Sequence, residues 1–172
     1  TFSVAENQTA IGTVTATDSE GDPITYRIDT LISTTDLEII INDGVISFAS
    51  APDYETKSTY TTTVVASDGI NSTSQEITVN VTDVNDVPVF TSSNTFSAAE
   101  NQTAIGSVTA TDADGDSITF TVSGSELAIT SAGVLTFVSA PDYETKSSYT
   151  ATVTATDGAN PTTQDITVNV TN

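Results

Sequence analysis

Apolar and polar residues alternate with period two along most of this chain. Ile24, Tyr26 and Ile28 fall on one face of an extended segment, with Thr25 and Arg27 between them. Tyr60, Val64 and Ala66 do the same, as do Ile77, Val79 and Val81 against Thr78, Asn80 and Thr82. Further on, Ile118, Phe120 and Val122 repeat the pattern, and so do Tyr149, Ala151, Val153 and Ala155. Threonine and valine favour a pleated, half-buried surface, and Gly-Asp, Asp-Gly and Asn-Asp-Gly clusters supply turns between the runs. No sustained helical period interrupts them. Over the first half the pattern predicts seven strands, at roughly 2–6, 11–17, 24–29, 37–41, 45–49, 60–67 and 74–82. Seven short strands with turns between them predict an all-β fold, an antiparallel Greek-key β-sandwich of immunoglobulin-like type.

The pattern occurs twice. Ala5–Gly12 reads AENQTAIG, and Ala99–Gly106 reads the same 94 residues later. Ala51–Ser58 (APDYETKS) returns at Ala140–Ser147, and Ile77–Thr82 (ITVNVT) at Ile166–Thr171, both 89 residues later. The spacing falls by five, so the first copy carries five additional residues between Asp22 and Ala51. A repeat of about 90 residues is domain-sized rather than a solenoid turn. The expectation is two tandem seven-stranded sandwiches, 1–86 ending in a linker and 87–172. Both ends fall at arbitrary points of the repeat, so the chain reads as a piece of a longer protein.

Composition narrows the chemistry. With no Cys or His, disulfides, thiolate chemistry and the commonest base and transition-metal ligand are all excluded. Only Arg27, Lys57 and Lys146 are basic in a chain of net charge −20, so nucleic acid and anionic membranes are poor partners. No apolar run approaches the roughly 18 residues of a membrane span, so this segment is not expected to insert. A cysteine-free, Thr-rich, acidic composition suits a secreted or surface protein.

The acids then take on a pattern. If the strands run alternately up and down, Glu6, Asp53, Glu55, Asp83 and Asp86 all fall at the lower pole of the first copy. Asp112, Asp114 and Asp157 fall at the upper pole of the second, facing the linker, with Asn85 as a further side-chain oxygen. Two like charges about 4 Å apart cost about 1 kcal/mol in water and several times more near a protein surface. Such a cluster should splay unless cations enter it. Hard oxygen ligands in a wide, loop-built site match calcium better than magnesium. A brine-adapted surface would also be acidic, but would scatter its charges along strand faces.

These residues resemble the cadherin repeat over nearly the whole chain. The resemblance rests on a Glu ending the first strand (Glu6), on Asp53-Tyr54-Glu55, and on the linker Asp83-Val84-Asn85-Asp86-Val87-Pro88-Val89-Phe90. It continues with Asp112-Ala113-Asp114 and a later Asp157. The resemblance implies about three calcium ions at the interdomain junction. Glu6, Asp53, Glu55, Asp83 and Asp86 would hold the two nearer the first domain. Asn85, Asp112, Asp114 and Asp157 would hold the third, with Asp114 shared. Val84 and Val87 would ligate through backbone carbonyls; Val87 stands where the family usually has Asn. In the first copy, Asp18-Ser19-Glu20 has Glu in place of the second Asp. Weak or partial calcium is expected at the outer acids, Asp18, Glu20 and Asp68 at one end and Glu100, Asp142 and Glu144 at the other. Without Trp, the strand exchange of animal adhesive members is not supported. The near-identical repeats are more similar to those of large bacterial surface or secreted proteins.

The resemblance implies a non-enzymatic, calcium-binding adhesion and spacer module. Its partners would be neighbouring cadherin-like repeats, another adhesin or a second cell. An alternative is a calcium-dependent carbohydrate-binding module, since cadherin-like repeats also occur in bacterial polysaccharide-degrading proteins. That role needs an exposed aromatic platform or a polar groove, and the only candidate aromatics are Tyr54, Tyr143 and Phe96. Tyr54 and Tyr143 are expected to pack instead, and Tyr26, Tyr60 and Tyr149 to be core. Paired acids could serve a glycosidase, but here they recur at every pole of a tandem repeat. Five Asn-x-Ser/Thr matches (Asn7, Asn71, Asn80, Asn101, Asn169) are expected by chance in so Thr-rich a chain.

Overall fold

The structure, a computed structural model, describes residues 1–29 and 38–172. They divide into two compact units, Thr1–Val84 and Asn85–Asn172. The first holds β1 (Phe2–Ala5), β2 (Ala10–Thr13), β3 (Thr25–Ile28), β4 (Ile39–Asn42), β5 (Val45–Phe48), β6 (Thr59–Ser67) and β7 (Ser72–Thr82). A four-stranded sheet in the order β1-β7-β6-β3 faces a three-stranded sheet in the order β2-β5-β4. Strand parity holds within this unit: β1 runs parallel to β7, and every other pairing is antiparallel. The expected seven strands are therefore present. Their bounds shift by a few residues, and Leu37, expected to open the fourth strand, lies outside the described residues.

The largest departure is the second strand, expected at 11–17 but ending at Thr13. Val14 still donates its N–H to Gly44 O at 2.8 Å, after which no ladder continues. Gly44 is what lets the hairpin come so close. Asp43 and Gly44 sit at φ 47° and 79°, as a tight two-residue turn requires. A Cβ on Gly44 would lie 2.7 Å from Val14 O.

The second unit repeats the seven strands of the first and adds two short ones. β8 (Val89–Phe90) is additional, β9 (Thr95–Ala99) and β10 (Ala104–Ser107) match β1 and β2, and β11 (Ala110–Thr111) is again additional. β12 (Thr119–Val122), β13 (Leu127–Ile129), β14 (Val134–Phe137), β15 (Ser148–Thr156) and β16 (Pro161–Thr171) complete it. The sheets are β12-β15-β16-β9 and β10-β14-β13, with β8 and β11 as a separate pair.

Alternation puts the core where it was expected. Ile46, Val64, Ile77, Val79 and Val81 are buried between the sheets of the first unit, and Leu135, Val153, Ile166 and Val168 between those of the second. Phe48 meets Tyr60 edge-on with ring centroids 4.8 Å apart, and Phe137 meets Tyr149 at 5.0 Å. Lys57 lies 4.3 Å over the Tyr60 ring and pairs with Glu38; Lys146 lies 4.4 Å over Tyr149 and pairs with Glu126. Both lysines thus cap the same aromatic corner, one in each unit. Tyr54 and Tyr143 overturn their expectation: they are 38% and 40% exposed rather than packed.

Candidate metal centre

In the first unit the acids gather around Glu6. Glu6 follows β1 directly and is 2% exposed. Chain reversal just beyond it is made by Asn7, at φ 61°, whose N–H reaches Pro52 O at 3.0 Å. Asparagine tolerates this left-handed conformation better than a bulkier residue would. Glu6 Oε2 accepts the Tyr54 N–H at 3.1 Å, and Oε1 accepts the Val84 N–H at 2.8 Å. One buried carboxylate thus ties the Asp53-Tyr54-Glu55 loop to the residues that leave β7.

Asp53 caps its own loop. Its Oδ1 accepts the Glu55 N–H at 3.1 Å, and its Oδ2 accepts the Thr56 hydroxyl at 2.8 Å. The Thr56 hydroxyl, which outweighs an opposing effect of burial, and after it Glu55 and the loop amides hold its carboxyl below the usual aspartate value. Glu6, Asp53 and Glu55 each present a carboxylate oxygen within 4.8 Å of the others. Asp83 and Val84 follow β7, and both are exposed.

The second unit brings together another set. The Asp86 N–H donates to Asp114 Oδ2 at 2.7 Å, and Asn85 Nδ2 donates to Asp157 Oδ2 at 2.8 Å. The other oxygen of Asp157 accepts the N–H groups of Ala159 and Asn160 at 2.6 and 2.7 Å. Asn85 and then these amides hold its carboxyl below the usual aspartate value. Val87 is 46% exposed, whereas Pro88 is buried.

Asp112, Asp114 and Asp116 hold carboxylate oxygens within 4.8 Å of one another. Asp116 was missed in the sequence. Gly115, at φ 79°, turns the chain so that the Asp116 N–H reaches Asp112 Oδ1 at 3.1 Å. The signal was present as Asp-x-Asp-Gly-Asp. Asp112 Oδ2 and Asp114 Oδ1 are buried and have no hydrogen-bond partner among the described residues. A buried carboxylate oxygen without a partner is costly unless a cation takes its lone pairs.

The outer acids differ between copies. Glu100, Asp142 and Glu144 form a group like that around Glu6, but Glu100 accepts one amide, from Tyr143 at 3.1 Å. At the far end of the first unit, Glu20 Oε2 accepts the Ser19 hydroxyl at 2.6 Å. Asp18 Oδ1 takes the amides of Glu20 and Asp22, and Asp68 Oδ1 those of Ile70 and Asn71.

Every donor in these groups is oxygen, the donor set of a hard divalent cation such as calcium. Two linked all-β sandwiches with acids at their strand ends define a tandem of cadherin-like repeats. The bacterial Ig domain family matches residues 85–171, and the cadherin domain family matches residues 1–82. The chain belongs to the bacterial Ig domain family through its second half, and as a whole it is a pair of cadherin-like repeats.

It is 34% identical to the Drosophila melanogaster protocadherin-like wing polarity protein stan, over 95% of this chain and 5% of that protein. Among solved structures, Drosophila N-cadherin EC1-4 is 26% identical with a TM-score of 0.69, covering 99% of this chain and 47% of that one. Human protocadherin-24 EC1-2, 22% identical, shares the fold with a TM-score of 0.68, covering 99% of this chain and 94% of that one. Cadherin domains form a non-enzymatic family that generally binds calcium at linkers.

Proposed function

We propose that this chain is a calcium-binding structural module of an extracellular array, in which ions around the linker stiffen the tandem and support adhesion. The observation that carries this reading is the pair of buried, partnerless oxygens on Asp112 and Asp114. Asn85, Asp112, Asp114 and Asp157 would hold one ion, with Asp116 as a further ligand. Asn85 would turn its amide to present Oδ1. Glu6, Asp53, Glu55, Asp83 and Asp86 would hold the others, with the carbonyls of Val84 and Val87 completing a set of about three ions. Calcium would supply positive charge to a strongly acidic region and fix the linker backbone. Extracellular calcium sites commonly bind at about 10⁻⁴–10⁻³ M, so the array would be stiff in seawater or host fluid.

Homophilic or cell–cell contact, on a bacterial surface protein, is the setting we infer. The bacterial Ig match supports the source, and the cadherin relatives support adhesion. The polysaccharide alternative is weaker. Among the described residues Tyr54 and Tyr143 are the exposed aromatics, one in each unit, so neither unit has a platform of adjacent rings.

Small-angle scattering with calcium and with chelator tests the reading. Calcium should lengthen the maximum dimension and narrow the spread of conformations; identical profiles sink the proposal. Asp86→Ala should weaken calcium binding by calorimetry while both sandwiches stay folded. Full stoichiometry in that variant would overturn the ligand assignment.

A further inference from the structure

We infer that Lys57 and Lys146 are positioning residues: each pins the acidic loop of its unit into the shape that takes a cation, before any cation arrives. This role rests on the calcium reading above and names what prepares the loop.

In the first unit the loop runs from Asp53 to Lys57. Its turn is closed by the Lys57 N–H, which donates to Asp53 O at 2.9 Å. In the second unit the Lys146 N–H donates to Asp142 O, also at 2.9 Å. A single turn of this kind has little stability of its own, since one bond must fix several backbone angles. The acids on it oppose it further. Asp53 and Glu55, and likewise Asp142 and Glu144, present carboxylate oxygens within 4.8 Å of each other. Something outside the turn has to hold it.

The lysine side chain does so. From the loop, Lys57 reaches the Tyr60 ring on β6, 4.3 Å from its centroid, and the Glu38 carboxylate beside β4. β6 belongs to one sheet of the sandwich and β4 to the other. Glu38 is itself fixed, because its carbonyl accepts the Ala49 N–H at 2.8 Å. Tyr60 is buried and meets Phe48 edge-on. One ammonium thus ties the loop to both sheets. Lys146 repeats each contact: it lies 4.4 Å over Tyr149 on β15 and reaches both oxygens of Glu126, beside β13, at 2.7 Å.

The two clamps are not simple copies. Glu and Lys stand 19 residues apart in the first unit and 20 in the second. Asp43 and Gly44 join β4 to β5, whereas residues 130–133 separate β13 from β14. The carboxylate contact survives that change in length.

Charge alone predicts the opposite effect. A lysine two residues after Glu55 should repel a divalent cation and weaken its binding. A lysine that positions the loop strengthens cation binding although it carries the wrong charge.

Lys57→Met in the full chain separates the two, because it keeps the stem over the ring and removes the charge. In chelator, amide exchange by NMR should quicken roughly threefold or more at residue 57 and at Glu55, the scale of one exposed cation–ring contact. The core amide of Val79 should stay unchanged. A calcium titration followed at the Glu55 amide should show weaker binding by a similar factor. Lys57→Arg, which keeps a cation over the ring, should restore both. Lys146→Met should quicken exchange at residue 146. Unchanged exchange at these loop amides, or equal quickening at Val79, overturns the inference; so does Lys57→Arg behaving like Lys57→Met. If the wild-type chain binds no calcium, the proposed function falls and this inference with it. If it binds calcium and Lys57→Met binds equally or more tightly, the inference alone falls.

Discussion

Glu6→Gln is the sharpest probe of the first unit, because Glu100→Gln provides its internal control. Glu6 is buried and accepts two backbone amides, one on each carboxylate oxygen. Glutamine replaces one of those oxygens with an NH₂ group. Either the Val84 or the Tyr54 amide then faces a donor and loses its acceptor. Losing a hydrogen bond to a charged group costs about 1.5–3 kcal/mol, and the orphaned amide sets the upper end of that range. Glu100 accepts the single amide of Tyr143 on Oε2, which a glutamine carbonyl can still serve. Its replacement should therefore cost about 1 kcal/mol or less.

The assay is urea denaturation in chelator, with amide exchange at Val84 and Tyr54 to locate the loss. Glu6→Gln should speed exchange at one of the two by tenfold or more, since 1.4 kcal/mol corresponds to a factor of ten. In calcium the gap between the variants should widen. Equal destabilisation by the two substitutions, or unchanged exchange at both amides, would refute the idea that Glu6 clamps loop to linker.

Other expectations follow from the same geometry. Asp114→Asn keeps an acceptor for the Asp86 amide but removes one charge from the Asp112–Asp114–Asp116 group. In chelator the second unit should gain up to about 1 kcal/mol, the cost of such a pair in water; in calcium its affinity should fall at least tenfold by calorimetry. Gly44→Ala must carry both a φ of 79° and a 2.7 Å approach to Val14 O, so denaturation should show a loss of about 1–3 kcal/mol. Gly69→Ala, at φ 95° with nothing within 4 Å, should lose only about 1 kcal/mol. Glu20→Asp shortens a carboxylate now turned to the Ser19 hydroxyl, and should strengthen calcium binding at the outer end of the first unit in a calorimetric titration.

The seven strands, the core and the grouping of acids within each unit were legible because each depends on short-range pattern. Period-two burial placed Ile77, Val79 and Val81 inward, and parity brought Glu6 beside Asp53 and Glu55. What was not legible depends on partners distant in sequence. The second strand of the first unit stops at Thr13 although Val14 and Ala16 continue the apolar alternation, because beyond Gly44 no neighbour among the described residues supplies a ladder. Alternation reports which face is apolar, not whether an adjacent strand exists. Tyr54 failed differently. A loop tyrosine beside two acids has no periodicity to assign it, and its backbone amide, not its ring, is what the fold uses. Asp116 was missed because its role follows from the turn at Gly115 rather than from pairwise spacing.

Fold and ligand chemistry are separable here, and that decides what calcium can do. The buried clusters of both units are apolar, and among the described residues Glu6 is the one buried charged residue. The remaining acids discussed above sit on turns at strand ends, where their repulsion strains loops rather than cores. Chelation should therefore leave both sandwiches folded while loosening the segment from Asp83 to Val87, whose Val84 and Asp86 amides donate to the Glu6 and Asp114 carboxylates. A cation placed among those carboxylates acts on the same backbone groups, so its effect falls on the linker first. If calcium binds as proposed, at the millimolar levels usual for extracellular sites, a cadherin-like repeat built this way would respond to it without risking its own unfolding, because the energy that holds the domain and the energy that would bind the ion reside in different atoms.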